Sequence, residues 1–197
     1  MRLIITRHGE TEENKLGVMM GHNPGTLSKE GIEQAKKAAL RLKDEKIDFI
    51  YSSDLKRASD TAKEIAKFHK DVPLIFTEEL RERYLGEFQG RKPSDFGIDP
   101  KNFKATIVES KNGEKMQDLF NRAQKFLQNI LKKHQKDTVC LVSHNGFNKA
   151  LIAVITNKKA EDIISIDNQH NTSINVFEIN KNKEYKVLVS NSIDHLN

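Results

Sequence analysis

Apolar runs of strand length punctuate the chain at "LIIT" (3–6), "FIYS" (49–52), "PLIF" (73–76), "TVCLVS" (138–143), "SINVFEI" (173–179) and "YKVLVS" (185–190). Between the early ones lie helical periods. Ser28 reads as an N-cap with Glu30 in the first turn, followed by Ile32, Ala35, Ala39 and Leu42 at helical spacing. Leu55, Ala58, Ala62, Ile65 and Ala66 mark a second helix. The strongest helical stripe is Met116, Leu119, Phe120, Ala123, Phe126, Leu127, Ile130 and Leu131. A fourth, with Phe147, Ala150, Leu151, Val154 and Ile155, starts directly after the run that ends at Ser143. Strands alternating with helices predict a three-layer α/β/α sandwich around a mostly parallel sheet. The polar "NKNKE" between the last two runs is hairpin-like, and predicts one strand antiparallel to its neighbour.

From about Gly86 to Gly113 the pattern loses its period and concentrates glycine with two prolines, which predicts a lid or insertion over 86–113. No repeat and no linker interrupts the rest, so a single domain over 1–197 is expected. That length suffices for a full hydrophobic core.

Charge adds little to this picture. The net +5 is dispersed lysine offset by acids, without the basic cluster interleaved with aromatics that nucleic acid requires, so no nucleic-acid partner is expected. No apolar run reaches membrane-span length, and the first residues form a strand rather than a cleavable leader, which predicts no membrane association and a cytoplasmic protein. The single cysteine, Cys140 in "TVCLVSH", excludes an internal disulfide and reads as a buried, inert thiol. The oligomeric state is not set by any of these patterns.

Ligands of open parallel sheets bind beyond the carboxyl ends of the strands. There the first strand delivers Thr6, Arg7, His8 and Gly9, and the second delivers Ser52, Ser53 and Asp54, with Arg57 one turn later. The fourth run delivers Ser143, His144 and Gly146, and "TEELRERYLG" after the third brings Glu82 and Arg83 to the same rim. A metal site on His8, His144 and Glu82 is disfavoured, because interspersed arginines repel a cation and neither an HxH nor an HExxH spacing is present. Guanidinium forks suit phosphate instead. A histidine among them can attack phosphorus through one ring nitrogen if the other is held as a donor, for example by a backbone carbonyl. A nearby carboxyl can protonate the leaving oxygen.

Four blocks in order, "TRHGET", "SSDLKRASDTA", "LRERYLGEFQG" and "LVSHNG", resemble those of the histidine phosphatases, the phosphoglycerate mutase-like superfamily, over nearly the whole chain. The resemblance implies that His8 is the nucleophile that becomes phosphorylated. It implies that Arg7, Arg57 and His144 bind the phosphoryl oxygens, that Asn14 is a further phosphate-pocket position, and that Gly21 lies near the substrate mouth. Glu82 matches the general acid that later activates water, and no metal or organic cofactor is implied. Mutases of the family resemble this chain at Glu82 and Arg83, the latter a substrate-binding position. Their tyrosine two places after that arginine is Leu85 here, however, and the adjacent arginine pair that grips a substrate carboxylate is absent, the insertion offering Arg91, Lys92, Lys101 and Lys104 but no two arginines together. These departures favour a phosphatase acting on a small phosphorylated metabolite, such as a sugar phosphate, a phosphorylated amino acid or a cobamide-precursor phosphate. The alternatives are a cofactor-dependent phosphoglycerate mutase and, from another class, a non-catalytic phospho-ligand-binding domain. Outside these blocks, Asp54 and Ser53 are expected to cap the helix carrying Arg57. His22, His69, His134, His170 and His195 are expected at the surface, and the sequon at Asn171 to Ser173 is expected to mean nothing in a cytoplasmic protein.

Overall fold

The computed structural model describes residues 1–99, 110–182 and 184–197. Its strands are β1 (Arg2–Arg7), β2 (Phe49–Ser53), β3 (Leu74–Thr77), β4 (Thr138–Ser143), β5 (Ile174–Ile179) and β6 (Tyr185–Ser192). They form one sheet in the order β3-β2-β4-β1-β5-β6. The first four in sequence pair in parallel, β5 runs antiparallel to β1, and β6 turns back along β5, so β5 alone opposes the rest. The expected architecture and the single reversed strand are both found.

The helices are α1 (Glu12–Lys15), α2 (Lys29–Leu42), α3 (Lys56–Ala66), α4 (Met116–Lys133) and α5 (Asn145–Ile155). Strand side chains alternate between two cores, as the period of two requires. Leu3, Ile5, Val139 and Leu141 pack with Leu119, Phe126, Phe147 and Leu151 of α4 and α5. Ile4, Cys140 and Val142 pack with Leu42, Ala58, Ala62 and Ile65 of α2 and α3 on the other face. Central strands buried on both faces read as near-continuous apolar runs, and β4 is buried throughout. No helix among the described residues is long and apolar enough to cross a membrane.

Ser28 caps α2, its hydroxyl accepting from Gly31 N at 3.0 Å. Yet Ile32, expected on the buried stripe, is 39 % exposed, and Gly31, Ala35, Ala38, Ala39 and Leu42 face inward instead. The helix is turned so that Gly31 meets the loop after β1: a Cβ on Gly31 would collide with the Glu10 carbonyl, and one on Gly9 with the carbonyl of Gly31. Two glycines thus let the start of α2 brace the loop that follows His8.

Other expectations need correction. Leu55 occupies the N-cap position of α3 without a side-chain cap, and the Asp54 carboxylate is instead engaged by the Arg81 guanidinium in a two-point ion pair. His69 and His134 are buried rather than superficial. His69 Nε2 meets the Leu42 carbonyl at 3.1 Å, and His134 lies between Tyr51 Oη (2.9 Å) and Asp137 Oδ2 (3.0 Å), so each has local polar partners that the chain pattern does not reveal. The first part of the expected lid contains two short 3-10 turns, Gly86–Phe88 and Pro93–Phe96. Phe88 packs edge-on to Phe96 and forms an apolar cluster with Met19 and Leu85. Its middle, 100–109 with Lys101 and Lys104, lies outside the described residues.

Candidate active site

The β1–β4 register places Arg7 beside Ser143. The next residue on each strand is a histidine, so His8 and His144 leave the sheet side by side, with ring centroids 5.2 Å apart. His8 is 2 % exposed and its tautomer is fixed by two neighbours. Nδ1 donates to the carbonyl of Gly9 at 2.7 Å, and Nε2, left with its lone pair, accepts from Arg57 Nε at 3.2 Å. Burial first, then the charges of Arg57 and Arg7, hold its pKa well below the usual histidine value. His8 is therefore a neutral imidazole at neutral pH, the form that can act as a nucleophile.

Arg57 rises from the first turn of α3 and is almost wholly buried. Its NH1 donates to the carbonyls of Asn23 and Pro24, and its NH2 to that of Gly21 at 2.9 Å. Burial lowers its pKa to about 10, which leaves it a cation at neutral pH. Arg7 donates from NH1 to the Gln169 carbonyl at 2.7 Å, while its buried Nε has no hydrogen-bond partner among the described residues. Both ring nitrogens of fully buried His144 are likewise unpartnered. Burial, followed by the neighbouring charges, chiefly that of Arg57, holds its pKa far down as well. The buried guanidinium of Arg57, the part-buried one of Arg7 and the orphaned polar atoms leave an electrostatic deficit suited to an anion: each charge pair near 4 Å is worth about 4 kcal/mol at an effective dielectric of about 20.

One carboxylate faces this group. Glu82 accepts from the backbone N–H of Arg83 (2.8 Å) and Phe147 (3.2 Å) at Oε1, and of Gly146 (3.0 Å) at Oε2, which seats it on the N-terminal turn of α5. Arg7, His8, Asn14, Gly21, Arg57, Glu82 and Arg83 all line one cavity of about 210 Å³. Every residue singled out from the sequence is thus brought together, His144 joining through its ring beside His8. Asn14 has a second duty, since its side chain and that of Thr11 cap α1 reciprocally. Arg83 is 3 % exposed, with Nε on the Glu114 carbonyl at 2.7 Å. Among the described residues no group of three His, Cys, Asp or Glu side chains is placed to hold a metal ion.

Residues 3–192 match the family model of the histidine phosphatase superfamily, branch 1. The chain belongs to that superfamily. It is 34 % identical over 204 residues to phosphoglycerate mutase-like protein 4 of Arabidopsis thaliana, covering 98 % of this chain and 86 % of that one. It is 33 % identical over 189 residues to a metal-independent phosphoserine phosphatase of the same plant, covering 92 % and 77 %. The solved structure of YhfR from Bacillus stearothermophilus superposes with a TM-score of 0.89 at 27 % identity, over 100 % of this chain and 99 % of that one. These relatives bear out the expected enzyme class, a phosphatase working through a phosphohistidine.

Several parts of this histidine phosphatase's site carry no motif. Val18, Met19, Met20, Leu85 and Pro93 supply an apolar wall, and Asn145 also lines the cavity. Asn171 Nδ2 donates to the His8 carbonyl at 3.0 Å, and Thr172 N to that of Arg7 at 3.1 Å, so the apparent sequon is a strap over the catalytic strand end. His22, expected at the surface, is half-buried with Nε2 on the Glu82 carbonyl at 2.8 Å. The one available signal was the run of amides in "NQHNTSIN" abutting an apolar strand, where Gln169 and Asn175 are buried.

Proposed function

We propose that this histidine phosphatase hydrolyses small phosphomonoesters in two steps. His8 Nε2 attacks phosphorus while Arg7, Arg57 and His144 hold the phosphoryl oxygens. The ester P–O bond breaks, and Glu82, entering the step as the carboxylic acid, gives its proton to the leaving oxygen and is left as the carboxylate. In the second step Glu82 takes a proton from water as that oxygen attacks the phosphohistidine, the P–N bond breaks, and inorganic phosphate leaves. The observation that carries this reading is the paired restraint on His8, with Nδ1 on the Gly9 carbonyl and Nε2 turned to a buried guanidinium.

A cavity of about 210 Å³ walled by Met19, Leu85 and Pro93 favours a small leaving group over a second, charged acceptor, which supports water as the phosphoryl acceptor. A phosphorylated amino acid is a natural candidate, given the metal-independent phosphoserine phosphatase among the relatives. We read residues 1–197 as a single domain with a lid or insertion at about 86–113. The inferred location is the cytoplasm, in keeping with the unpaired, buried Cys140.

The test is release of inorganic phosphate from 4-nitrophenyl phosphate without added metal, in wild type and in His8→Ala. Activity that survives the substitution, or vanishes with a chelator, overturns the mechanism. A parallel assay with phosphoglycerate and its bisphosphate primer is expected to show hydrolysis outrunning phosphoryl transfer; the reverse result would make the protein a mutase.

A further inference from the structure

Glu82 stands in a stretch that no helix or strand holds. Residues 81–85 lie between the 3-10 turns Glu78–Leu80 and Gly86–Phe88 without regular structure. Their backbone groups must find partners elsewhere, and those partners set where the carboxyl points. Two of the carbonyls, those of Arg81 and of Glu82, the latter shared with His22 Nε2, are held by Arg122 of α4. Its guanidinium has five N–H groups, and each has an acceptor. NH1 donates to the carbonyls of Glu79 (2.9 Å) and Arg81 (2.7 Å). NH2 donates to the Glu82 carbonyl (3.2 Å) and to Glu114 Oε2 (2.7 Å), and Nε to Glu114 Oε1 (2.9 Å).

The two-point pairing with Glu114 fixes the plane of the guanidinium, which lies over the Phe147 ring with Cζ 5.1 Å from the centroid. Glu114 extends the brace along the chain. Its carbonyl takes Arg83 Nε, its N–H donates to the Tyr84 carbonyl at 2.8 Å, and its carboxylate accepts from Tyr84 N at 3.2 Å. Phe147 closes the loop, because its own N–H is one of the donors to the Glu82 carboxylate.

We propose that Arg122, oriented by Glu114, is the positioning residue for Glu82. It touches neither substrate nor reacting atoms, and it sets where the carboxyl meets the leaving oxygen and later the attacking water. This rests on Glu82 being the proton donor. A lysine at 122 keeps the charge but has no planar fork to engage three carbonyls and a carboxylate at once. Misplacing a catalytic group by about 1 Å costs on the order of 100-fold in rate. The loss belongs only to steps in which Glu82 moves a proton.

The experiment is rapid-quench measurement of His8 phosphorylation by two esters, 4-nitrophenyl phosphate, whose leaving group needs no proton, and glycerol 2-phosphate, whose leaving group does. The proteins are wild type, Arg122→Lys, Glu114→Gln, Glu82→Gln and the double variant Glu82→Gln/Arg122→Lys, each checked by thermal unfolding. Arg122→Lys and Glu114→Gln are expected to slow the glycerol ester on the order of 100-fold and the nitrophenyl ester by less than about threefold. The double variant is expected to be no slower than Glu82→Gln alone, because both changes remove one function. Equal losses on both esters, no loss on either, or losses that multiply in the double variant overturn the proposal. If Glu82→Gln itself slows both esters alike, the acid role of Glu82 has failed and the brace with it. If Glu82→Gln discriminates and Arg122→Lys does not, the brace alone has failed. Should Arg122→Lys not fold, Glu114→Gln, which keeps the arginine but removes the carboxylate that fixes the guanidinium plane, gives the answer.

Discussion

Arg57 Nε donates to His8 Nε2 across 3.2 Å, while the same guanidinium holds the carbonyls of Gly21, Asn23 and Pro24. One cation therefore orients His8 Nε2 and fixes the loop at the cavity mouth. Arg57→Lys preserves the charge and removes the fork. Turnover of 4-nitrophenyl phosphate is expected to fall by about 100- to 1,000-fold, the usual loss for one oxyanion donor. A variant within about tenfold of wild type would show that charge alone suffices.

Both site histidines are kept neutral by burial and by neighbouring arginines. As pH drops through about 6.5, the unfolded chain takes up a proton on each, and the folded chain does not. Stability is therefore complete above that range and declines below it, until the lowered folded values are reached. Each histidine adds about 1.4 kcal/mol per pH unit to the slope. Urea unfolding from pH 6.5 to 5 is expected to show this decline, and His144→Asn to reduce it. An unchanged slope in the variant would place the neutral imidazole elsewhere.

Gly31 packs where any Cβ would strike the Glu10 carbonyl. Gly31→Ala is expected to cost about 1–3 kcal/mol, the range for overpacking a tight contact. It is also expected to lower turnover, since the loop it displaces follows the nucleophile. Thermal unfolding with a phosphatase assay reads both effects; a neutral substitution would mean that the α2–loop contact relaxes freely.

Among the described residues Arg7 Nε and the His144 nitrogens have no hydrogen-bond partner, so the folded state is expected to take up phosphate. Inorganic phosphate at 100 times its dissociation constant is expected to stabilise the protein by about 2.7 kcal/mol, relative to chloride at equal ionic strength. The thermal shift is expected to shrink in His144→Ala, which leaves Arg7 and Arg57 in place; an undiminished shift there would locate anion binding at another surface.

The sequence made most of the fold legible because β1 and β4 are buried on both faces and read as unbroken apolar runs. Ile32 misled because the rotation of α2 is set by its fit at Gly31 rather than by its own stripe. Asp54 misled because its partner, Arg81, lies 27 residues away. The site was legible wherever chemistry sits at a strand end, as at Arg7, His8 and His144. The ties that aim those groups were not: Asn171 reaches His8 across 163 residues, and Arg122 reaches Glu82 across 40. Such ties are tertiary, and no local period records them.

The alignment of Arg7 with Ser143 in the β1–β4 ladder has an evolutionary consequence. The separation of the two imidazoles is gauged by the ladder of two buried central strands, where a slip of one residue would turn every side chain to the opposite face. The wall formed by Val18, Met19, Leu85 and Pro93 lies outside that ladder, in loops and short turns. Substitutions there can accumulate without disturbing the gauge. A lineage built on this frame can thus exchange substrates while its reaction stays the same, and a designer wishing to redirect it has only the wall to rewrite.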